Sequence, residues 1–248
     1  MKKTILALVM ILLCALLCSC TFNAYNYPDG HRYTAGGGAV QSRVENLDID
    51  WIDGTVTIGC HDGSDIRLSE RSGKELDGAS ELRWWLDGDT LYVKYAESGF
   101  DLSGNLNKAL TVLLPRGLAL DTLKVNVVSS DVTATDVTAV SFELDTVSGD
   151  VQVDAAGMEN VETDTVSGDV TLRFARAPES VEVDSVSGDV TIWLPEGAGC
   201  TLDTDTVSGN VRMGLQMEQR DGRYMHGDGS CRISVETVSG DIRLDALK

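Results

Sequence analysis

The sequence predicts an all-β protein: a parallel β-solenoid, or β-helix-like stack, of roughly 20-residue coils, entered through a less regular N-terminal β region. Three observations carry that reading. The unit Asp-Thr-Val-Ser-Gly-Asp-Val occurs at Asp145–Val151, Asp164–Val170, Asp184–Val190 (with Ser185), Asp205–Val211 (with Asn210) and Glu236–Ile242. Its glycines, Gly149, Gly168, Gly188, Gly209 and Gly240, lie 19, 20, 21 and 31 residues apart, the near-constant period of a repeat architecture. Around each glycine apolar and polar residues alternate, as Val181 and Val183 do with Glu182 and Asp184, the period of two that belongs to strands. One unit cannot bury its apolar face alone, whereas units stacked about 4.8 Å apart share a core. An antiparallel meander with Ser-Gly hairpins is the alternative, but identical residues at one phase favour in-register stacking.

From the N-terminus, Lys2 and Lys3 precede an unbroken apolar run from Ile5 to Leu17. It is too short for a membrane-spanning helix and suits the apolar part of a secretory signal. The run closes on Leu17-Cys18-Ser19-Cys20, a small residue before a cysteine, which resembles the cleavage site of bacterial lipoproteins. Residues 1–19 then form the signal peptide, and Cys20 becomes the acylated N-terminus, with palmitate among its chains. The protein is exported and faces outside the cytoplasm, with the membrane as its first partner. Residues 20–40, with Gly36, Gly37 and Gly38, lack an apolar period and read as a flexible tether of roughly 25 Å.

Residues 41–115 form the N-terminal β region. Leu82–Leu86 and Thr90–Tyr95 alternate on either side of Asp87-Gly88-Asp89, a hairpin signal. With Leu82, Trp84 and Leu86 inward, Trp85 and Tyr92 face out, as a cap or as a platform for a sugar or partner. Ile52-Asp53-Gly54-Thr55-Val56 is a distant relative of the repeat, and Val128-Ser129-Ser130-Asp131-Val132 a weaker copy. Residues 116–248 form the repeat solenoid. Its long spacing holds an excursion, Gly214 to Gly229, read as a loop off one edge, and no C-terminal cap is evident. Cys200 and Cys231 each precede their glycine by nine residues, so stacking sets them side by side. A disulfide there would close about 30 residues and add about 3 to 4 kcal/mol in the chain-entropy model; two buried thiols are the alternative.

The repeat also predicts a surface. Outward positions stack Glu143, Glu162, Glu182, Asp203 and Ser234 in one column and Asp145, Asp164, Asp184, Asp205 and Glu236 in another. Neighbouring unit charges about 4.8 Å apart repel by about 0.9 kcal/mol in bulk water. Such a face is a solvated surface, a site for a divalent cation, calcium being suited to hard oxygen ligands, or a dock for a basic partner or envelope ligand. The repeat lacks the Gly-Gly-x-Gly-x-Asp spacing of calcium-binding β-rolls, and no other cofactor is indicated. A further column, Asp150, Asp169, Asp189, Asn210 and Asp241, reads as turn residues accepting backbone N–H groups.

Composition narrows the function. Lys plus Arg number 20 against 39 Asp plus Glu, for a net charge of −19, which excludes nucleic acid as the main partner. A hydrophobic content of 42% is enough for a packed core. Enzymatic signatures are missing from the sequence. His31, His61 and His226 fall in loop-like segments, no Gly-x-Ser-x-Gly elbow occurs, and Cys60-His61-Asp62 stands isolated. A ladder should also give its carboxylates similar environments, whereas acid–base catalysis needs unequal ones.

The lipoprotein signal, Asp53–Ile58, Thr111–Pro115 (Thr-Val-Leu-Leu-Pro) and the Ser-Gly-Asp-Val repeats together resemble the putative-adhesin β-strand-repeat family, domain of unknown function 4097, over residues 41 to 245. The resemblance implies an all-β solenoid at the cell envelope and supplies no catalytic residues. The functional expectation is a non-catalytic surface lipoprotein serving as an adhesin-like binding or scaffolding module. An accessory or sensor protein of an envelope-stress response is the alternative, with a carbohydrate-active β-helix enzyme behind both.

Overall fold

Alternation turns each repeat into two strands meeting at a corner. In the coil cornered at Gly188, Val181, Val183, Val190 and Ile192 are buried while Glu182 is exposed. The computed structural model describes residues 24–104, 106–220 and 222–247; the signal peptide and Cys20 lie outside the described residues.

The repeats stack in parallel and in register, as a solenoid and not a meander. Thr146 aligns with Thr165, Thr165 with Ser185, Ser185 with Thr237, and Thr237 with Thr206. Each corner needs glycine because the preceding strand backbone lies against it. Gly168 has φ +127°, and a Cβ there would sit 2.1 Å from the Gly149 carbonyl oxygen. The strand Asn46–His61 pairs in parallel with residues 122–134, and Gly54 is level with Ser130. Asp53-Gly54-Thr55-Val56 is therefore the first corner of the stack.

Three sequence expectations need correction. The coils do not stack in chain order: Ser180–Ser187 pairs with Cys231–Ser239, which pairs on its other side with Cys200–Ser208. The chain leaves the Gly188 coil, builds the terminal Gly209 coil first, and returns to fill the vacant level with the Gly240 coil. Hydrogen bonds on both faces hold this late strand: Arg232 N–H donates to the Glu179 carbonyl (3.0 Å) and Cys231 N–H to that of Gly199 (3.1 Å).

The excursion from Gly214 to Gly229 is the missing cap. It forms a hairpin, Glu218–Arg220 with Arg223–His226, whose second strand runs antiparallel to Cys200–Leu202. Leu215, Met217 and Tyr224 pack against the open end of the core.

The described part of the tether, residues 24–40, is structured. Ala24–Tyr25, Thr34–Ala35 and Gly38–Val40 each pair with a strand of the N-terminal region. Tyrosines supply the burial that the sequence periodicity does not reveal: Tyr25 packs edge-on to Tyr27 and Tyr95. Trp85 and Tyr92 stack at 5.9 Å as the hairpin predicts, but Tyr33 meets Trp85 edge-on and Arg32 lies over its ring. The platform is covered by the chain's own N-terminal segment.

The N-terminal region is pinned by a buried ion pair. Lys108 is fully buried, its Nζ 2.6 Å from Glu70 Oε2 and within 5 Å of the Trp51 and Tyr95 ring centres. It also donates to the carbonyls of Ser80 and Tyr95.

Candidate functional site

Parallel register carries the outward residues of the first strand into two continuous columns. One runs Asp48, Lys124, then Glu143, Glu162, Glu182, Ser234, Asp203; the other Asp50, Asn126, then Asp145, Asp164, Asp184, Glu236, Asp205. The predicted carboxylates are brought together, with the last two levels exchanged by the coil order. Within each column side chains are one strand spacing apart, about 4.8 Å.

Among the described residues the ion pairs to these columns are confined to the ends. Lys94 bridges Asp48 and Asp50, Lys124 Nζ lies 3.1 Å from Glu143, and Arg223 Nε lies 3.5 Å from Asp203. Between them lie Glu162, Asp164, Glu182, Asp184 and Glu236, carboxylates stacked in register on successive coils. Partial burial, then repulsion from Asp184, Asp145 and neighbouring glutamates, pushes the Asp164 carboxyl up to about 7. Burial, then Glu236, Glu182 and Glu162, pushes Asp184 up to about 6. Glu162 and Asp145 are raised chiefly by burial, and for Asp145 Lys124 opposes the shift. The ladder environments are thus unequal, contrary to the simple repeat expectation: among the described residues ion pairs reach Asp48, Asp50, Glu143 and Asp203 toward the ends, and none is formed by Asp164 or Asp184.

The first column is interrupted after Glu182 by Ser234. The short side chain opens a cavity of about 280 Å³ lined by Glu182, Asp203, Ser234, Thr201, Arg223 and Arg232.

The corner aspartates have another role. Asp131 accepts the Asp150 N–H, Asp150 that of Asp169, Asp169 that of Asp189, Asp189 that of Asp241, and Asp241 that of Asn210, at 2.8–3.0 Å. Each carboxylate therefore serves the next coil of the stack, not its own turn. Asn210 closes the series and donates its amide back to Asp241 (3.0 Å).

The remaining predicted groups are spread out. Cys200 and Cys231 are register partners, buried, and present as free thiols. Burial pushes them up to about 11 and about 12, with Cys200 adding to the shift at Cys231. Cys60 donates to the Asp136 carbonyl, His61 contacts the Asp65 carbonyl, and Asp62 pairs with Arg116, so these neighbours serve separate local contacts. Among the described residues no three His, Cys, Asp or Glu side chains are gathered as metal ligands, because the ladder sets its carboxylates in rows. No helix among those residues is long and apolar enough to cross a membrane.

The Toastrack DUF4097 family model matches residues 44–177 and 116–245. Among solved structures, the chain is similar to a putative cell adhesion protein from Clostridium sporogenes, at 12% identity and TM-score 0.49, covering 86% of this chain and 100% of that one. A putative adhesin from Bacteroides fragilis shows 11% identity and TM-score 0.34, covering 85% and 97%. A putative lipid binding protein from Parabacteroides distasonis shows 12% and 0.33, covering 87% and 98%. No curated protein matches the chain.

Proposed function

The chain belongs to the Toastrack DUF4097 family, and from that premise we propose that it is a non-catalytic binding module of the cell envelope whose acidic ladder docks a basic protein segment. The observation that carries this reading is the compensation pattern: cations at the two ends of the ladder and repelling, partly buried carboxylates between. A partner bearing several lysines or arginines relieves that repulsion, so the gain on binding exceeds that of an ordinary exposed ion pair. Export and attachment through a lipid on Cys20 would place this face outside the cytoplasm, suiting an adhesin-like or scaffolding role. The lack of a conventional nucleophile–base motif in the sequence supports the non-catalytic reading.

Titration of the full chain in detergent with polylysine tests the proposal. D164N/D184N/E236Q is expected to weaken binding at least about tenfold, or about 1.4 kcal/mol. Neutralising the exposed residues Glu75, Asp87 and Glu196, which lie off the ladder, should leave it within about twofold. Equal losses from both sets would reduce the effect to net charge and overturn the proposal.

A further inference from the structure

The two ends of the stack are finished differently. At the N-terminal end the outer strands are themselves paired: Arg83–Asp87 with Thr90–Lys94 and with Thr34–Ala35, and Ile66–Arg71 with Lys108–Pro115 and with Gly38–Val40. At the other end the capping hairpin covers only Cys200–Leu202. From Thr204 to Met213 the Gly209 coil is paired on its inner side by the Gly240 coil, and among the described residues no strand pairs with its outer side.

Hydrogen-bond direction shows what this edge offers. Val132, Val151, Val170 and Val190 donate their N–H to the corner Asp carbonyl of the next coil, and Ile242 to that of Asn210, at 2.8–2.9 Å. Gly149, Gly168, Gly188 and Gly240 donate likewise to the next corner Ser carbonyl, at 3.0–3.3 Å. Val211 and Gly209 are the next donors in these two series, and no further coil among the described residues receives them. Val207, 69% exposed, and Val211, 36% exposed, are two of the three large apolar side chains left exposed among the described residues. An edge with a row of free backbone groups and exposed valines is a template for strand pairing.

Charge selects the occupant. Residues 144–153, 163–172 and 183–192 each carry two aspartates and no base, whereas residues 204–213 carry only Asp205 and Arg212. In a chain of net charge −19, this is the repeat segment where two copies can meet without a wall of like charge. Head-to-tail stacking would need an open edge at the N-terminal end, where the outer strands are already paired. We propose that the Gly209 coil pairs with the same edge of a second copy, antiparallel, across a two-fold axis at the Ser208–Gly209 peptide. This isologous contact closes on itself and so ends at a dimer. In that register Asp205 of each copy faces Arg212 of the other, which already holds Asp241 at 3.2 Å. Thr206 faces Val211, so inward residues meet inward residues. The two N-terminal ends then point to opposite poles.

Cysteine cross-linking of the full chain in bacterial membranes tests the register. The variant D205C/R212C is expected to give a disulfide-linked dimer at least about tenfold above D205C or R212C alone, since only the double variant faces thiol to thiol in an antiparallel pair. Adding V211P removes a donor that serves no bond within the chain and should cut the dimer about tenfold; V207E, at an exposed position, should do the same by charge. Thermal melting of each variant reports that the fold is intact. A folded D205C/R212C protein that stays monomeric, cross-links no better than either single variant, or joins only to a different protein would overturn the proposal.

Discussion

Replacing Asp164 by asparagine should stabilise the protein, by an amount that grows from about pH 4 and levels off above about pH 7. The Asp164 carboxyl is held at about 7 against an ordinary 3.8, roughly three pKa units, which sets a ceiling of about 4 kcal/mol. The side chain remains partly open to solvent, and screening brings the realistic contribution to about 1–2 kcal/mol. The folded-state pKa is the higher one, so the native state retains a proton that the unfolded state releases. Stability associated with Asp164 is complete below about pH 4 and is lost as pH rises through about 7. D164N removes the charge while keeping the shape. It should therefore melt about 2–8 °C above the parent at pH 8, taking about 2–4 °C per kcal/mol for a chain of this size, and match it at pH 4. The assay is thermal unfolding followed by circular dichroism at the two pH values and constant ionic strength. A D164N protein equal to or less stable than the parent at pH 8 would refute the argument that the ladder carries uncompensated charge.

Other outcomes follow from the same geometry. Lys108→Ala should cost about 3–5 kcal/mol in urea unfolding, because Glu70 is left charged and buried, while K108M/E70Q should lose less. Gly168→Ala should cost more than about 3 kcal/mol, since its Cβ would fall on the Gly149 carbonyl; Gly197→Ala, also at positive φ but with open space around it, should cost only about 1 kcal/mol by the same melting assay. Cys200 and Cys231, held up to about 11 and about 12, should resist alkylation at pH 8 until denaturant is added, because the thiolate is the reactive form. Mass spectrometry showing rapid labelling of either in the native protein would contradict their burial.

The solenoid was legible because its constraints are local and repeated: Thr-Val-Ser-Gly-Asp fixes the corner, and period-two alternation fixes which side chains enter the core. The carboxylate columns were legible for the same reason, since in-register stacking converts a sequence period into a surface row. Coil order was not, because the 31-residue gap reveals an excursion but not the level at which the chain re-enters. One residue carried the signal. From Asp131 onward every interior corner Asp accepts from the next coil, and Asn210, which has no next coil among the described residues, is the one corner of that series that is not acidic. The N-terminal cover was missed because Tyr25, Tyr27 and Tyr33 anchor it through ring contacts that leave no period in the sequence. The Lys108–Glu70 pair joins positions 38 residues apart, outside the repeat, and nothing in the local sequence of either announces the other.

The most direct test of an uncompensated acidic ladder is carboxyl carbon NMR titration of Asp164 and Asp184, with and without polylysine. Midpoints near 7 and 6 that fall when the polycation binds, with protons released on binding near neutral pH, are the predicted result. Midpoints near the ordinary 3.8, unmoved by the polycation, would contradict the account.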